Sequence, residues 1–196
     1  MNLYAKLQQR AAEGRPVRIG LIGAGKFGSM YLAQVPRTPG VHLVGIADLS
    51  PAAAQTNLAR VGWEAQRTQA GSLDEALKTG ATHVGDDWRA LVRHPAIDVI
   101  VECTGHPIAA VDHCLEAFAH GKHVVNVTVE ADAFCGPLLA RKAHAAGVVH
   151  REGLAGAGCA AAIVQIHVAT PGQGQNRLIT YSAGCRQHGH LWRVGH

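Results

Sequence analysis

Apolar residues along this 196-residue chain fall into two alternating patterns. The first is a short, nearly unbroken run: Val17 to Ile22, Val41 to Ala47, Ala81 to Val84, Ala96 to Val101, Val124 to Val127, and a last one beginning at Val148. Such runs are too short for helices and lack polar alternation, as expected of strands covered on both faces. The second pattern is periodic and bounded by capping residues. Ser29 to Val35 carries Met30, Leu32 and Val35 at helical spacing and stops at Pro36. Ser50-Pro51 places an N-cap and a helix-starting proline before an alanine-rich segment that runs to Val61. Ser72-Leu73-Asp74-Glu75 is a capping box for a helix ending near Gly80. Trp88 to Arg93, Pro107 to His120 and Asp132 to Ala146 are the other predicted crossover helices. Residues 3–13, with Leu3, Leu7 and Ala11 on one side, form one more before Gly14 and Pro16.

Strands alternating with helices specify an α/β fold with an open parallel sheet and right-handed crossovers. The expected organisation is an N-terminal helix (1–14), a sheet domain (15–150) and an atypical tail (151–196). The first strand runs straight into Gly23, Gly25 and Gly28, spaced G-x-G-x-x-G. Gly23 permits a tight turn, Gly25 leaves room for a pyrophosphate beside the backbone, and Gly28 lets the next helix pack closely. Asp48 ends the second run, 20 residues beyond Gly28, where an acidic side chain accepts from an adenosine ribose. The pattern therefore predicts a Rossmann-type doubly wound parallel sheet. Its candidate cofactor contacts are Gly23, Ala24, Gly25, Lys26, Phe27 and Gly28 in the loop, with Asp48 and Leu49 at the second strand. Cys103, Thr104 and Gly105 follow the fourth strand and are candidates for the nicotinamide side. The acid at position 48 favours NAD, because its charge repels the extra phosphate of NADP. NADP stays open if Arg60 or another base approaches.

Composition narrows the partners. Hydrophobic residues make up 47% and charged ones 16%, an ordinary globular balance. The net charge of +4 comes from scattered lysines and arginines without interleaved aromatics, so no nucleic-acid partner is expected. No apolar run reaches membrane length and no secretory leader is visible, which predicts a soluble cytoplasmic chain with no membrane partner. Five cysteines without C-x-x-C spacing, and thirteen histidines without a helical pair, predict neither disulfide framework nor metal site.

The stretches VRIGLIGAGKFGSMYLAQVPRTPGVHLVGIADLSPA, IDVIVECTGHP and GKHVVNVTVEADAFCGPLLARKAHAAGVV resemble a known family. They are similar to the N-terminal part of bacterial homoserine-dehydrogenase-like oxidoreductases with a C-terminal SAF domain, a group that includes deoxyxylulose-phosphate-reductoisomerase-like enzymes. The resemblance covers about residues 15–150. It implies an NAD(P)-binding domain followed by a catalytic, dimer-forming one, with Gly23, Gly25 and Gly28 at the pyrophosphate, Asp48 at the ribose and Thr104-Gly105 near the nicotinamide. Two departures stand out. Homoserine dehydrogenases proper continue the fifth strand into a catalytic asparagine-lysine pair, whereas Asn126 here is followed by Val127-Thr128-Val129-Glu130-Ala131-Asp132. Glu130 or Asp132 is then a candidate acid–base group, with capping of the next helix the preferred role for Asp132. The tail also departs from the family's Y-x-x-x-x-G-D-Q-type continuation. Residues 151–196 hold no lysine, no aspartate and one glutamate, which suggests a frameshift or a truncated gene and a missing catalytic domain.

The leading expectation is the cofactor-binding part of an oxidoreductase that moves a hydride to or from a small polar carbonyl or alcohol, with catalytic residues unidentified. The alternatives are a stand-alone dinucleotide sensor or subunit, and a fragment of a glucose–fructose-oxidoreductase-type sugar dehydrogenase. A homodimer or a separate catalytic chain would be the macromolecular partner.

Overall fold

A computed structural model of the chain describes residues 3–152. The strands are β1 (Val17–Ile22), β2 (Val41–Ala47), β3 (His83–Gly85), β4 (Val99–Glu102), β5 (His123–Asn126) and β6 (His150–Glu152). All pair in parallel, in the order β3-β2-β1-β4-β5-β6. The helices are α1 (Leu3–Ala12), α2 (Lys26–Leu32), α3 (Pro51–Arg60), α4 (Leu73–Thr79), α5 (Trp88–Arg93), α6 (Pro107–Ala119) and α7 (Val129–Ala145). The order reverses between β1 and β4, where the chain leaves β3 at one edge and re-enters on the far side of β1 through α5.

Alternation along each strand sorts the core into two layers. Val17, Ile19 and Leu21 of β1 and Val99 and Val101 of β4 face one layer with Leu32 of α2 and Leu58 of α3. Ile100 of β4 faces the other, with Leu91 of α5, Phe118 of α6 and Leu139 of α7. The second layer also explains two glycines inside strands. A Cβ on Gly20 would meet the Leu91 side chain at 3.0 Å, and one on Gly45 would meet Leu73 at 2.5 Å and Leu91 at 2.7 Å, so these positions make room for α4 and α5. Of the predicted anchors of α1, Leu7 is buried while Ala11 is exposed.

The predicted elements appear with small shifts in their ends. Capping chemistry holds at Ser50 and Ser72. The Ser50 hydroxyl accepts from Ala53 N, and the Ser72 hydroxyl from Glu75 N at 3.1 Å. Glu75 accepts from Gly71 N at 2.8 Å, one residue upstream of the usual capping-box partner, the N-cap amide. The third strand starts later than the apolar run suggests. Ala81 and Thr82 are tied to the second strand region through side chains instead of a ladder: Thr82 Oγ1 donates to Leu43 O at 2.7 Å, and His42 Nε2 lies 2.9 Å from Ala81 O.

The difference that changes a residue's role concerns α7, which begins at Val129 instead of Asp132. Its backbone leaves helical geometry at Cys135 (φ −142°, ψ 19°), two residues before Pro137. Proline removes a helical donor and crowds the preceding turn, so the pattern legible downstream of Pro137 conceals a first helical turn upstream of the kink. Asp132 therefore lies inside the helix and does not cap it; the N-cap position belongs to Thr128. The composition change predicted for the tail falls on residues that, past 152, lie outside the described ones.

Candidate functional site

The glycine loop sits at the carboxyl end of β1, beside the point where strand order reverses. Gly23 has φ +88°, which favours a residue without a side chain. A Cβ there would lie 2.9 Å from the carbonyl group of Cys103 and from Thr104 N, because the turn after β4 backs directly onto the loop. A Cβ on Gly28 would strike the carbonyl oxygen of Gly23, so α2 can approach the loop this closely only without one. Gly25 is different: a Cβ there would meet nothing within 4 Å. Two glycines are thus required by the fold, and the third opens the loop to the crevice.

The second βα unit holds this loop. Gly23 N donates to Ala47 O at 2.8 Å. Ala24 N donates to Asp48 Oδ2 at 2.8 Å, and Asn57 Nδ2 from α3 donates to Ala24 O at 2.9 Å. The other carboxylate oxygen, Asp48 Oδ1, accepts from Ser50 N at 2.9 Å. A carboxylate offers about four acceptor sites, so each oxygen retains capacity for a sugar hydroxyl. Beside it Leu49 is fully exposed, and Phe27, two residues beyond Gly25, is half exposed. Lys26 is exposed at the start of α2. Arg60 is at the far end of α3, where a guanidinium nitrogen lies 3.5 Å from Ser29 Oγ on α2.

On the other side of the reversal, β4 ends in a carboxylate with no solvent exposure at all, Glu102. Four donors or ring nitrogens converge on it. Thr104 gives its amide (3.2 Å) and its hydroxyl to Oε1, His113 Nδ1 of α6 lies 3.3 Å from the same oxygen, and the Thr128 hydroxyl donates to Oε2. Thr128 Oγ1 in turn accepts from Gly105 N at 3.0 Å, and Thr128 N donates to Asn126 Oδ1 at 3.2 Å. Sequence reading singled out Thr104 and Gly105 but missed Glu102, His113 and Thr128. The available signal was an acid closing an otherwise wholly apolar strand, since a buried charge must be met by donors. Cys103 continues the strand: its amide donates to Ile22 O at 2.8 Å and the residue is buried.

Behind this cluster, Asp132 on α7 faces His150 of β6 at 3.4 Å, with side chains 11% and 6% exposed. Burial pushes the Asp132 carboxyl above its ordinary value, and the His150 charge and the Asn126 amide oppose that shift without cancelling it. Burial also raises the Cys114 thiol, assisted by the charges of Glu102 and Asp132, which leaves it inert as a nucleophile. Lys122, the predicted lead-in to β5, is buried at the opposite end of the sheet and donates to His94 O (2.7 Å) and Ile97 O (2.8 Å), a structural tie. A groove of about 370 Å³ between Arg18, His42, Trp63 and Arg67 opens at that same far edge and takes no part in this site. Among the described residues no group of His, Cys, Asp and Glu side chains converges as a metal centre needs, and no helix is long and apolar enough to cross a membrane.

In doubly wound sheets, dinucleotides lie at the carboxyl ends of the strands where strand order reverses. The six-strand order, the tight loop with its one open position and the acid at β2 put this protein in that class. Its family follows from the sequence. Residues 23–151 match the model for the homoserine dehydrogenase NAD-binding domain, and the chain belongs to that family. It carries the NAD-binding domain of oxidoreductases related to homoserine dehydrogenase. Among solved structures, an NAD-binding oxidoreductase from Klebsiella pneumoniae is similar at 25% identity and a TM-score of 0.52, over 70% of this chain and 34% of that one. A homoserine dehydrogenase from Thiobacillus denitrificans shares the fold at 24% identity and a TM-score of 0.54, over 70% of this chain and 29% of that one. The chain thus spans about a third of the length of these relatives. No curated protein matches it by sequence.

Proposed function

We propose that this chain binds NAD in preference to NADP, as the cofactor-holding part of an oxidoreductase acting on a small polar carbonyl or alcohol. The observation that carries the reading is Asp48. Its carboxylate touches two backbone amides and, among the described residues, forms no ion pair, so nothing neutralises it against a 2′-phosphate. Arg60, the base that would have favoured NADP, turns its guanidinium to Ser29 Oγ on α2, 3.5 Å away, and forms no ion pair with Asp48. The loop fits the diphosphate for a steric reason: Gly25 is the one glycine of the triplet whose missing side chain leaves open space.

When bound, the nicotinamide supplies or accepts the hydride, and the protein contributes position and field. The chain's own residues would act as follows. Backbone amides at the start of α2 face the diphosphate. Asp48 accepts from the adenosine ribose, with Leu49 beside it as an apolar wall. Thr104 and Gly105 present backbone to the opposite half. Substrate and acid–base groups belong to a further domain, on this chain or on a separate one. A C-terminal SAF domain of the deoxyxylulose-phosphate-reductoisomerase-like group is the form our reading favours for it, with dimerisation through that part.

Titration calorimetry with the full chain tests the cofactor assignment. NADH should bind about tenfold or more tightly than NADPH, the ratio expected for one uncompensated charge clash. Equal affinities, or tighter NADPH binding, overturn it.

A further inference from the structure

Two turns that face the crevice beyond the reversal are joined through one buried carboxylate. The turn after β4 contains Thr104 and Gly105; the turn after β5 contains Thr128. Glu102 takes the Thr104 amide and hydroxyl on one oxygen and the Thr128 hydroxyl on the other, while Thr128 accepts from Gly105 N. These contacts form a closed loop from Glu102 through Thr128 to Gly105. His113 fixes the same oxygen from α6 and is itself held against Trp88, ring centroids 4.4 Å apart. Donors on both oxygens of a fully buried carboxylate favour one backbone arrangement, since another would leave that group without them. Thr128 occupies the N-cap position of α7 without making a side-chain cap bond. Its hydroxyl is committed to Glu102 at the expense of the helix it precedes.

We propose that Glu102 and Thr128 are positioning residues for the nicotinamide half of the bound dinucleotide. The inference rests on the dinucleotide reading and adds to it a division of labour. With a diphosphate over Gly25 and one ribose at Asp48 on the β2 side, the other half of the molecule extends over the ends of β4 and β5, where the stapled turns are. The adenosine half is held by the Ala24–Asp48–Asn57 contacts, which share no residue with the Glu102 network.

That separation gives a test. Calorimetry on the full chain compares NADH with ADP, which carries the adenosine ribose and diphosphate but no nicotinamide, for wild type, Thr128→Val, Thr128→Ser and Glu102→Gln. Thr128→Val keeps the shape and removes the hydroxyl; Glu102→Gln sets an amide donor among donors. Both should weaken NADH by about tenfold and leave ADP within about twofold of wild type. Thr128→Ser should restore NADH binding. If Glu102→Gln does not fold, Thr128→Val and its serine rescue decide the matter. Unchanged NADH binding in Thr128→Val, or equal losses for NADH and ADP, overturn the inference and leave the dinucleotide reading standing. A wild-type chain that binds neither ligand overturns both.

Discussion

Substituting alanine at Gly25 and at Gly28 separates what the loop does for the fold from what it does for a ligand. At Gly28 the added Cβ would come closer than 3.0 Å to the Gly23 carbonyl oxygen, and a backbone atom cannot swing aside as a side-chain tip can. Overpacking of this kind costs about 1–3 kcal/mol. For a chain of this size that lowers the melting temperature by roughly 2–12 °C. At Gly25 the backbone is at φ −70°, outside the left-handed region, and the added Cβ meets no atom. Alanine there loses a few tenths of a kcal/mol or more as an N-cap but gains about 0.4–1 kcal/mol by restricting the unfolded chain. The two nearly cancel, so the melting temperature should stay within about 4 °C of wild type. Binding should behave in the opposite sense. The new methyl occupies the space we assign to the diphosphate, and NADH affinity should fall at least about tenfold, or about 1.4 kcal/mol. Differential scanning fluorimetry and calorimetry on the same preparations read both quantities. If Gly25→Ala melts lower than Gly28→Ala, or binds NADH as wild type does, the steric reasoning is wrong.

Two further outcomes follow from named groups. Asp48→Ala removes the acceptor for Ala24 N and Ser50 N; it should cost about 1–2 kcal/mol of stability and narrow the NADH-over-NADPH ratio, whereas a ratio equal to wild type would show that Asp48 does not discriminate. Asp132 has a carboxyl raised by burial, so the folded chain binds that proton more tightly than the unfolded one. Stability contributed by the protonated form is present below about pH 3.9, the unfolded value. It is lost as pH rises through the folded value. Asp132→Asn should abolish this dependence, so its urea midpoint relative to wild type should climb with pH across that window and then level off. A flat difference would refute the assignment.

Most of the fold was legible because its signals are local. Apolar runs mark buried strands whatever they pair with, and Ser50, Ser72 and the glycines mark ends through contacts within a few residues. The glycine loop and the acid at β2, which carry our proposal for the adenosine half, were legible together for the same reason, since their spacing is fixed by one βαβ unit. The other half was not. Glu102 meets Thr128 across 26 positions and His113 across 11, and no spacing rule links an acid on one strand to a hydroxyl after the next. Asp132 reads as a cap in sequence because acids commonly precede helices. Its burial opposite His150 depends on the kink at Cys135 and on β6 lying beside β5.

The long-range contacts also bear on affinity. Besides its own glycines, the loop is held by bonds from Asp48 and Asn57 to Ala24, across 24 and 33 positions. A glycine-rich segment left to itself has the largest conformational entropy to lose. Fixing it before the ligand arrives transfers that loss from binding to folding, where the two core layers of the sheet offset it. Asp48 does so with the same carboxylate that our proposal assigns to the ribose, so one acid would both shape the loop and read the sugar. Removing it should therefore weaken ADP as well as NADH. By contrast, variants of the Glu102 network should leave ADP alone, which makes the two halves of the crevice separable by ligand choice.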